Sequence, residues 1–257
     1  MTQLQRLTIA SSQLSDGQIS LAREQQHYLS RVLRLRQGDR FIAIITMNGQ
    51  GHWWLAALSD DPSHAEILEP ISVQTELPIA ITLLMAMPKS GMDEIVRQAT
   101  ELGVTQILPV ISDRTFLKPS PQKLDRWQRI AQEAAEQSER QIVPKILSPQ
   151  SWAIALQTWN ATHSTCYLCE CRGNYPHLLT CLISPPHPPM PSSPRPFTLA
   201  IGPEGGWTDA EIEQAIAAGY QPVSLGSRIL RAITAPIAAL SLIASVFEVM
   251  PDRRKSV

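Results

Sequence analysis

The hydrophobic pattern changes character near residue 75. Up to about residue 72, apolar positions come in short runs, RFIAIIT at 40–46 and HWWLAAL at 52–58. Between these runs lies Asn48-Gly49-Gln50-Gly51, which has the chemistry of a tight hairpin turn. Pro62, Pro70 and Pro78 punctuate the stretch after the second run. This pattern predicts a small β-rich domain, a barrel or compact sheet. It also predicts one short helix over 24–35, with Tyr28, Val32 and Leu35 on its apolar face.

From residue 79 onward strands and helices alternate. Strands are expected at 79–86 (IAITLLMA), 106–111 (QILPVI), 164–170 (STCYLCE), 197–202 (FTLAIG) and 222–226 (PVSLG). Helical spacing of apolar residues predicts helices over 92–102, 122–139, 152–159 and 209–218, with Gly103 at the C-terminal cap of the first. This alternation predicts an α/β domain, a mostly parallel sheet with helices on both faces. The final segment, TAPIAALSLIASVF at 234–247, holds no charge, and Pro236 sits in its first turn. It is shorter than the ~20 residues that a bilayer requires. A helix apolar all round is therefore expected in a core or a subunit interface rather than a membrane. The stretch PPHPPMPSSPRP at 185–196 reads as an extended surface loop.

Composition narrows the class. The chain has 257 residues, of which 44% are hydrophobic, and this excludes global disorder. The net charge of −1 excludes a wholly basic nucleic-acid coat protein but not a local basic face. Four cysteines are too few for a disulfide scaffold, and the first residues lack a signal-peptide pattern, so a cytoplasmic protein is expected. Charge divides within the first region. Residues 1–40 carry six arginines against three acids, whereas residues 41–78 carry five acids and no lysine or arginine. Arg31, Arg34 and Arg36 are candidates for phosphate contact, against the plainer reading of a solvated helix face.

Two glycine-bearing turns carry the chemistry. Ile201-Gly202-Pro203-Glu204-Gly205-Gly206-Trp207 follows a buried strand and precedes a helix that Thr208 or Asp209 caps. Adjacent glycines permit positive φ and close approach of backbone to a ligand. No Gly-Lys-Ser/Thr follows, so this is not a phosphate-binding P-loop. Leu225-Gly226-Ser227-Arg228-Ile229-Leu230-Arg231 repeats the arrangement, with two arginines at its mouth. Turns after successive strands are expected to line one crevice.

Together, GPEGGWTDAEI and LGSRILRAITAPIAAL resemble the RsmE family, small-subunit rRNA uridine-N3 methyltransferases of the SPOUT superfamily. HYLSRVLRLRQGD at 27–39, KSGMDEIVRQATELGVTQILPVISDRT at 89–115 and KLDRWQRIAQEAAEQSERQIVPKI at 123–146 extend the resemblance, in order, over most of the chain. It implies a PUA-like RNA-binding β-barrel over 1–74 and, over 75–257, a SPOUT methyltransferase domain with a deep trefoil knot. It also implies S-adenosylmethionine as cofactor, 16S rRNA or the small ribosomal subunit as partner, and a homodimer that covers the last helix. By similarity, the cofactor residues are Ile201, Gly202, Pro203, Glu204, Gly205 and Gly206 with Leu225, Gly226, Ile229, Leu230 and Arg231. Arg114 matches an arginine of the family pattern, and Arg6, Arg31 and Arg34 become RNA contacts. Neither a metal nor a membrane is implied.

The sequence departs from that pattern at one informative position. The family carries R-x-E-T-A in its final motif, and here the residues are Arg231-Ala232-Ile233-Thr234-Ala235. If the missing carboxylate is catalytic, this chain is slow or inactive. If it only braces the dimer, an apolar substitute is harmless. Arg97 stands where lysine is common.

Methylation at uracil N3 requires stabilising the N3 anion and aligning it with a sulfonium methyl. Arg114, Arg228 and Arg231 are the candidates for the first task. Glu204 is the candidate base, with His27 behind it. Cys166, Cys169, Cys171 and Cys181 are numerous enough for zinc, but strand alternation turns Cys169 away from Cys166 and Cys171, so free thiols are expected. Two other readings stay open: the same scaffold acting on another RNA such as tRNA, and a non-catalytic RNA-binding assembly factor.

Overall fold

The short apolar runs of the first region pair into one sheet and the longer runs of the second region into another. The computed structural model describes residues 4–47, 50–72, 75–115, 118–183 and 195–249. The chain divides into two compact units, Met1–Glu76 with Ala135–Val143, and Leu77–Ala134 with Pro144–Val257.

In the first unit, strands β1 (Arg6–Ile9), β2 (Leu14–Ser15) and β3 (Gln18–Ser20) precede the short helix α1 (Arg23–His27). Strands β4 (Arg40–Met47), β5 (Gln50–Leu58) and β6 (His64–Ile71) follow. They form a six-stranded sheet in the order β1-β4-β5-β6-β3-β2. Only the β1–β4 pairing in it is parallel. The β4–β5 hairpin closes at Met47 opposite Gln50, and its turn residues Asn48 and Gly49 lie outside the described residues. Strand periodicity sends Phe41, Ala43 and Ile45 into the main core with Ile9, Ile19 and Leu29. The opposite face of β4 is buried too, where Ile42 and Ile44 meet Trp53. From the later segment, Arg140 is 3% exposed and pairs with Glu76 at 2.6 Å. Glu76 also accepts the amides of Gln141 and Ile142, which satisfies a carboxylate that burial would otherwise penalise.

The expected apolar face of the 24–35 helix is corrected here. After His27 the helix widens into a π turn over Tyr28–Val32, with Leu33 N–H donating to Tyr28 O and Leu35 N–H to Leu29 O. The extra residue in the turn breaks the 3.6 period. Leu29 is buried and Val32 is 58% exposed, so Val32 does not belong to the core face. The turn ends with Arg34 in left-handed backbone at φ 56°.

The second unit is built on strands β7 (Ile81–Ala86), β8 (Gln106–Ile111), β9 (Lys145–Ile146), β10 (Gln150–Ser151), β11 (Thr165–Cys169), β12 (Phe197–Ile201) and β13 (Gln221–Val223). Between and after them run α2 (Met92–Glu101), α3 (Pro121–Gln137), α4 (Trp152–Thr158), α5 (Leu178–Ile183), α6 (Asp209–Ala217) and α7 (Thr234–Val249). The sheet order is β10-β8-β7-β12-β11-β13, with β9 also on β8, and every pairing is parallel. Strand β12 thus inserts between two strands formed earlier in the chain. Buried on both faces, β7 and β12 show no alternation, as central parallel strands require. One face is covered by Trp152, Ala155 and Leu156 of α4 and by Trp207, Ala215 and Tyr220 around α6. On the other, Phe247 of α7 meets Phe197 of β12 edge-on at 5.4 Å. Gly103, at φ 91°, closes α2 as expected. Among the described residues, no helix is long and apolar enough to cross a membrane.

Candidate active site

Because β7, β8, β12, β11 and β13 are parallel, their C-terminal ends share one edge of the sheet. Ile201 pairs with Met85 on one side and Cys169 on the other, and Cys169 pairs with Val223. Segments 87–91, 112–115, 170–177, 202–208 and 224–233 therefore leave from one edge, the place where open α/β sheets bind ligands. Both glycine-bearing turns singled out in the sequence are among them.

The first turn is held from three directions. At its far end Thr208 and Glu211 form a capping box, with Thr208 N–H donating to the Glu211 carboxylate at 2.8 Å. Glu211 is 2% exposed and uses its other oxygen to accept the Asp113 amide at 2.9 Å. Trp207 stacks on Trp152 at 4.4 Å, and the Trp152 indole N–H donates to Glu211 O at 3.1 Å. Arg114 Nη1 donates to Gly205 O at 2.5 Å and to Trp207 O at 3.2 Å. A Cβ at Gly205 would lie 3.0 Å from Arg114 Cδ, so the close approach favours glycine there. Glu204 Oε1 accepts the Lys89 amide at 2.9 Å, which ties this turn to the segment after β7. Arg114 and Glu204, expected as catalytic groups, thus both hold the turn in shape. Trp207 Nε1 is buried against Gly202, without a hydrogen-bond partner among the described residues.

The second turn is more open. Ser224 Oγ accepts the Gly226 amide at 3.1 Å and shapes the bend. Gly226 has φ 119°, and a Cβ there would meet nothing within 4 Å among the described residues. Arg228 and Arg231 are exposed on the same segment, as is Ile229 at 71%. Arg231 O accepts the amides of Thr234 and Ala235, which starts α7 directly after the turn. Ile233 leans on Gly91, the N-cap of α2. His27, the second candidate base, belongs to the first unit and is exposed.

Between the two turns, directly after β11, the chain places Glu170, which sequence reasoning missed. It is 7% exposed, although it follows an apolar strand and carries no motif. Its only sequence signal is a lone acid directly after a buried strand. The cysteines do not assemble. Cys166 and Cys169 are buried, Cys171 is exposed and Cys181 half-buried. Burial pushes the Cys169 and Cys166 thiols up, and does the same to Tyr220. Among the described residues, no group of three or more His, Cys, Asp or Glu is placed to hold a metal ion.

In the first unit the three arginines expected to meet RNA separate. Arg31 and Arg34 are exposed at and just after the π turn. Arg6 has intramolecular partners instead: it pairs with Glu139 at 2.8 Å and lies 5.4 Å from the centre of the Trp53 ring. Its side chain is 14% exposed.

The family model of the RNA methyltransferase domain matches residues 75–244, and that of the RNA methyltransferase PUA domain matches residues 21–69. The chain is 46% identical over 245 residues to a ribosomal RNA small subunit methyltransferase E of Synechocystis, covering 95% of this chain and 78% of that one. It is 30% identical to the protein of that name from Bacillus subtilis, over 90% of this chain and 91% of the relative. Among solved structures, the ribosomal RNA small subunit methyltransferase E of Neisseria gonorrhoeae bound to S-adenosyl methionine superimposes with a TM-score of 0.82. The two are 33% identical over 95% of this chain and 98% of that one. The RNA methyltransferase model spans the whole second sheet and the edge that carries both turns, and with the 46% identity to a relative over most of both chains the chain belongs to the ribosomal RNA small subunit methyltransferase E family of RNA methyltransferases.

Proposed function

We propose that this chain, by family an S-adenosylmethionine-dependent rRNA methyltransferase, methylates N3 of a uridine in the 16S rRNA of the small ribosomal subunit, in the cytoplasm. The observation that carries this reading is the convergence of segments 202–208 and 224–233 at one sheet edge, either side of β11.

The residues fit the cofactor. Among the described residues, Gly226 leaves open space where any other side chain would stand and the buried Trp207 N–H lacks an acceptor, while Ile229 offers exposed apolar surface. Ile201 to Gly206, with Leu225, Gly226, Ile229, Leu230 and Arg231, would form the walls, reading the adenine edge through backbone N–H and C=O groups. When bound, S-adenosylmethionine supplies a methyl group made electrophilic by its sulfonium. Holding the turn through Arg114 and Glu204 fixes that methyl against an incoming base, and alignment of this kind contributes up to ~7–11 kcal/mol. Arg228 and Arg231 are exposed on the open turn and would stabilise negative charge on the uracil oxygens as the N3 proton passes to solvent water and N3 takes the methyl group, with S-adenosylhomocysteine as the other product.

In this reading residues 1–74 form a PUA-like barrel that binds RNA, with Arg31 and Arg34 on phosphates. Arg6 we assign to bracing β1. Residues 75–257 form the methyltransferase domain, and the insertion of β12 between β7 and β11 supports a trefoil knot. A homodimer would cover Ile229 and α7, which is free of charge as far as Phe247. The packing of Ile233 on Gly91 favours a bracing role for this position and hence an active enzyme.

The test is transfer of labelled methyl from S-adenosylmethionine to small subunits from a strain lacking the gene, followed by nucleoside analysis. Label in 3-methyluridine of 16S rRNA supports the proposal. Label in tRNA alone, or RNA binding without label, supports the alternatives.

A further inference from the structure

Glu170 stands at the centre of the sheet edge that carries both turns. Its amide donates to Val223 O at 3.0 Å, so the ladder of β11 continues through it. Because Cys169 pairs with both Ile201 and Val223, Glu170 is level with Gly202 on one side and Ser224 on the other. These are the first residues of the two turns. Pleat alternation puts its side chain on the face of Leu168 and Ala200, the face covered by Trp207.

A carboxylate that is only 7% exposed needs compensation. One Glu170 oxygen accepts the Arg172 amide at 2.7 Å, and the exposed Cys171 thiol lies beside the group. Among the described residues no lysine or arginine forms an ion pair with it. The other acids on the segments at this edge are committed: Asp113 to the Thr208 hydroxyl, Glu204 to the Lys89 amide, Glu211 to the Thr208 and Asp113 amides. The buried Trp207 N–H against Gly202, at the same level, is likewise without a hydrogen-bond partner among the described residues.

We propose that the Glu170 carboxylate is the anionic contact for the positive charge on the methionine part of S-adenosylmethionine. The inference rests on the reading of the two turns as the cofactor site. It makes Glu170 a cofactor-binding residue, and it gives a lone acid directly after a buried strand a role. A ligand bearing a cation would complete a pair with a carboxylate that is itself buried, where charge-assisted contacts are strong.

The test is calorimetric binding to wild type, Glu170→Gln and, as a probe of the site itself, Gly226→Val. Glutamine keeps a carbonyl for the Arg172 amide and removes only the charge. S-adenosylmethionine is compared with S-adenosylhomocysteine, which lacks the sulfonium, and with 5′-methylthioadenosine, which lacks both charged groups of the amino acid. The expected result for Glu170→Gln is about tenfold weaker binding of S-adenosylmethionine, with binding of methylthioadenosine unchanged. Equal weakening of S-adenosylhomocysteine identifies the ammonium as the contact, and weakening of the sulfonium compound alone identifies the sulfur; either supports the proposal. Unchanged affinity for all three in Glu170→Gln, with Gly226→Val still impaired, overturns the role of Glu170 and leaves the site standing. Equal weakening of methylthioadenosine also overturns it, because a structural disturbance then accounts for the loss. Tight binding to Gly226→Val overturns both the site and the inference.

Discussion

Ile233 lies directly over Gly91. A Cβ built on Gly91 would sit 2.3 Å from Ile233 Cδ1, and the backbone of Gly91 is left-handed at φ 87°. The contact joins the segment after β13 to the segment after β7, which Glu204 also holds through the Lys89 amide. Shape, not charge, is therefore what position 233 supplies here. Ile233→Val is expected to keep the methylation rate within about twofold, since such a swap costs only ~0.5–1.5 kcal/mol even in a core. Gly91→Ala meets both a clash and strained backbone, and is expected to destabilise the fold by ~1–3 kcal/mol. Melting curves and rRNA methylation rates of the two variants check this.

Arg114 gives a second prediction. Its guanidinium binds the carbonyls of Gly205 and Trp207 from one nitrogen. Arg114→Ala removes that clamp from an exposed side chain, so global stability is expected to change little. Affinity for S-adenosylmethionine is expected to fall about tenfold, in line with ~1.5 kcal/mol for a hydrogen bond to a charged group. Calorimetry together with a melting curve separates the two effects.

A third prediction concerns the π turn. Arg34 adopts φ 56°, a conformation that costs an L-residue ~1–2 kcal/mol and glycine little. Arg34→Gly is expected to leave the melting temperature unchanged or raised while weakening RNA binding. The slope of log affinity against log salt is expected to fall by about one unit, as for a lost phosphate contact. Arg6→Ala is expected to do the reverse, lowering stability through lost contacts to Glu139 and Trp53 with the salt slope preserved.

Much of the fold was legible in the sequence because the signals are local. Thr208 and Glu211 announce a helix start within four residues, and the continuous apolar runs of β7 and β12 announce buried parallel strands. Even the two turns at the sheet edge could be read from their glycines. What could not be read depends on distant partners. Nothing near residue 197 says that β12 enters between β7 and β11. Nothing around Arg114 names Gly205, some ninety residues away, and nothing around Ile233 names Gly91. The π turn is not legible because one extra residue per turn leaves no mark on composition, and a 3.6 period therefore puts Val32 on the wrong side.

The buried thiols and phenols predict a dependence on alkaline pH. Burial holds Tyr167 at about 12 against an ordinary 10.0, and pushes Cys169 well above its ordinary 9.0. The folded state keeps these protons longer than the unfolded chain does, so their stabilisation is complete below pH 9 and is lost as pH climbs toward 12. Denaturant titrations are expected to show flat stability from these groups up to the cysteine range and a steady fall above it. At pH 8 a thiol reagent is expected to modify Cys171 first and Cys181 more slowly, while buried Cys166 and Cys169 react only after unfolding.

Two glycine-bearing turns, either side of β11, are read as closing on one methyl donor. A crystal structure grown with S-adenosylmethionine puts that reading to the sharpest test. The adenosine is expected against Gly202 and Gly226, with the methionine part toward Glu170. Cofactor bound at any other edge of the sheet, with both turns vacant, would contradict it.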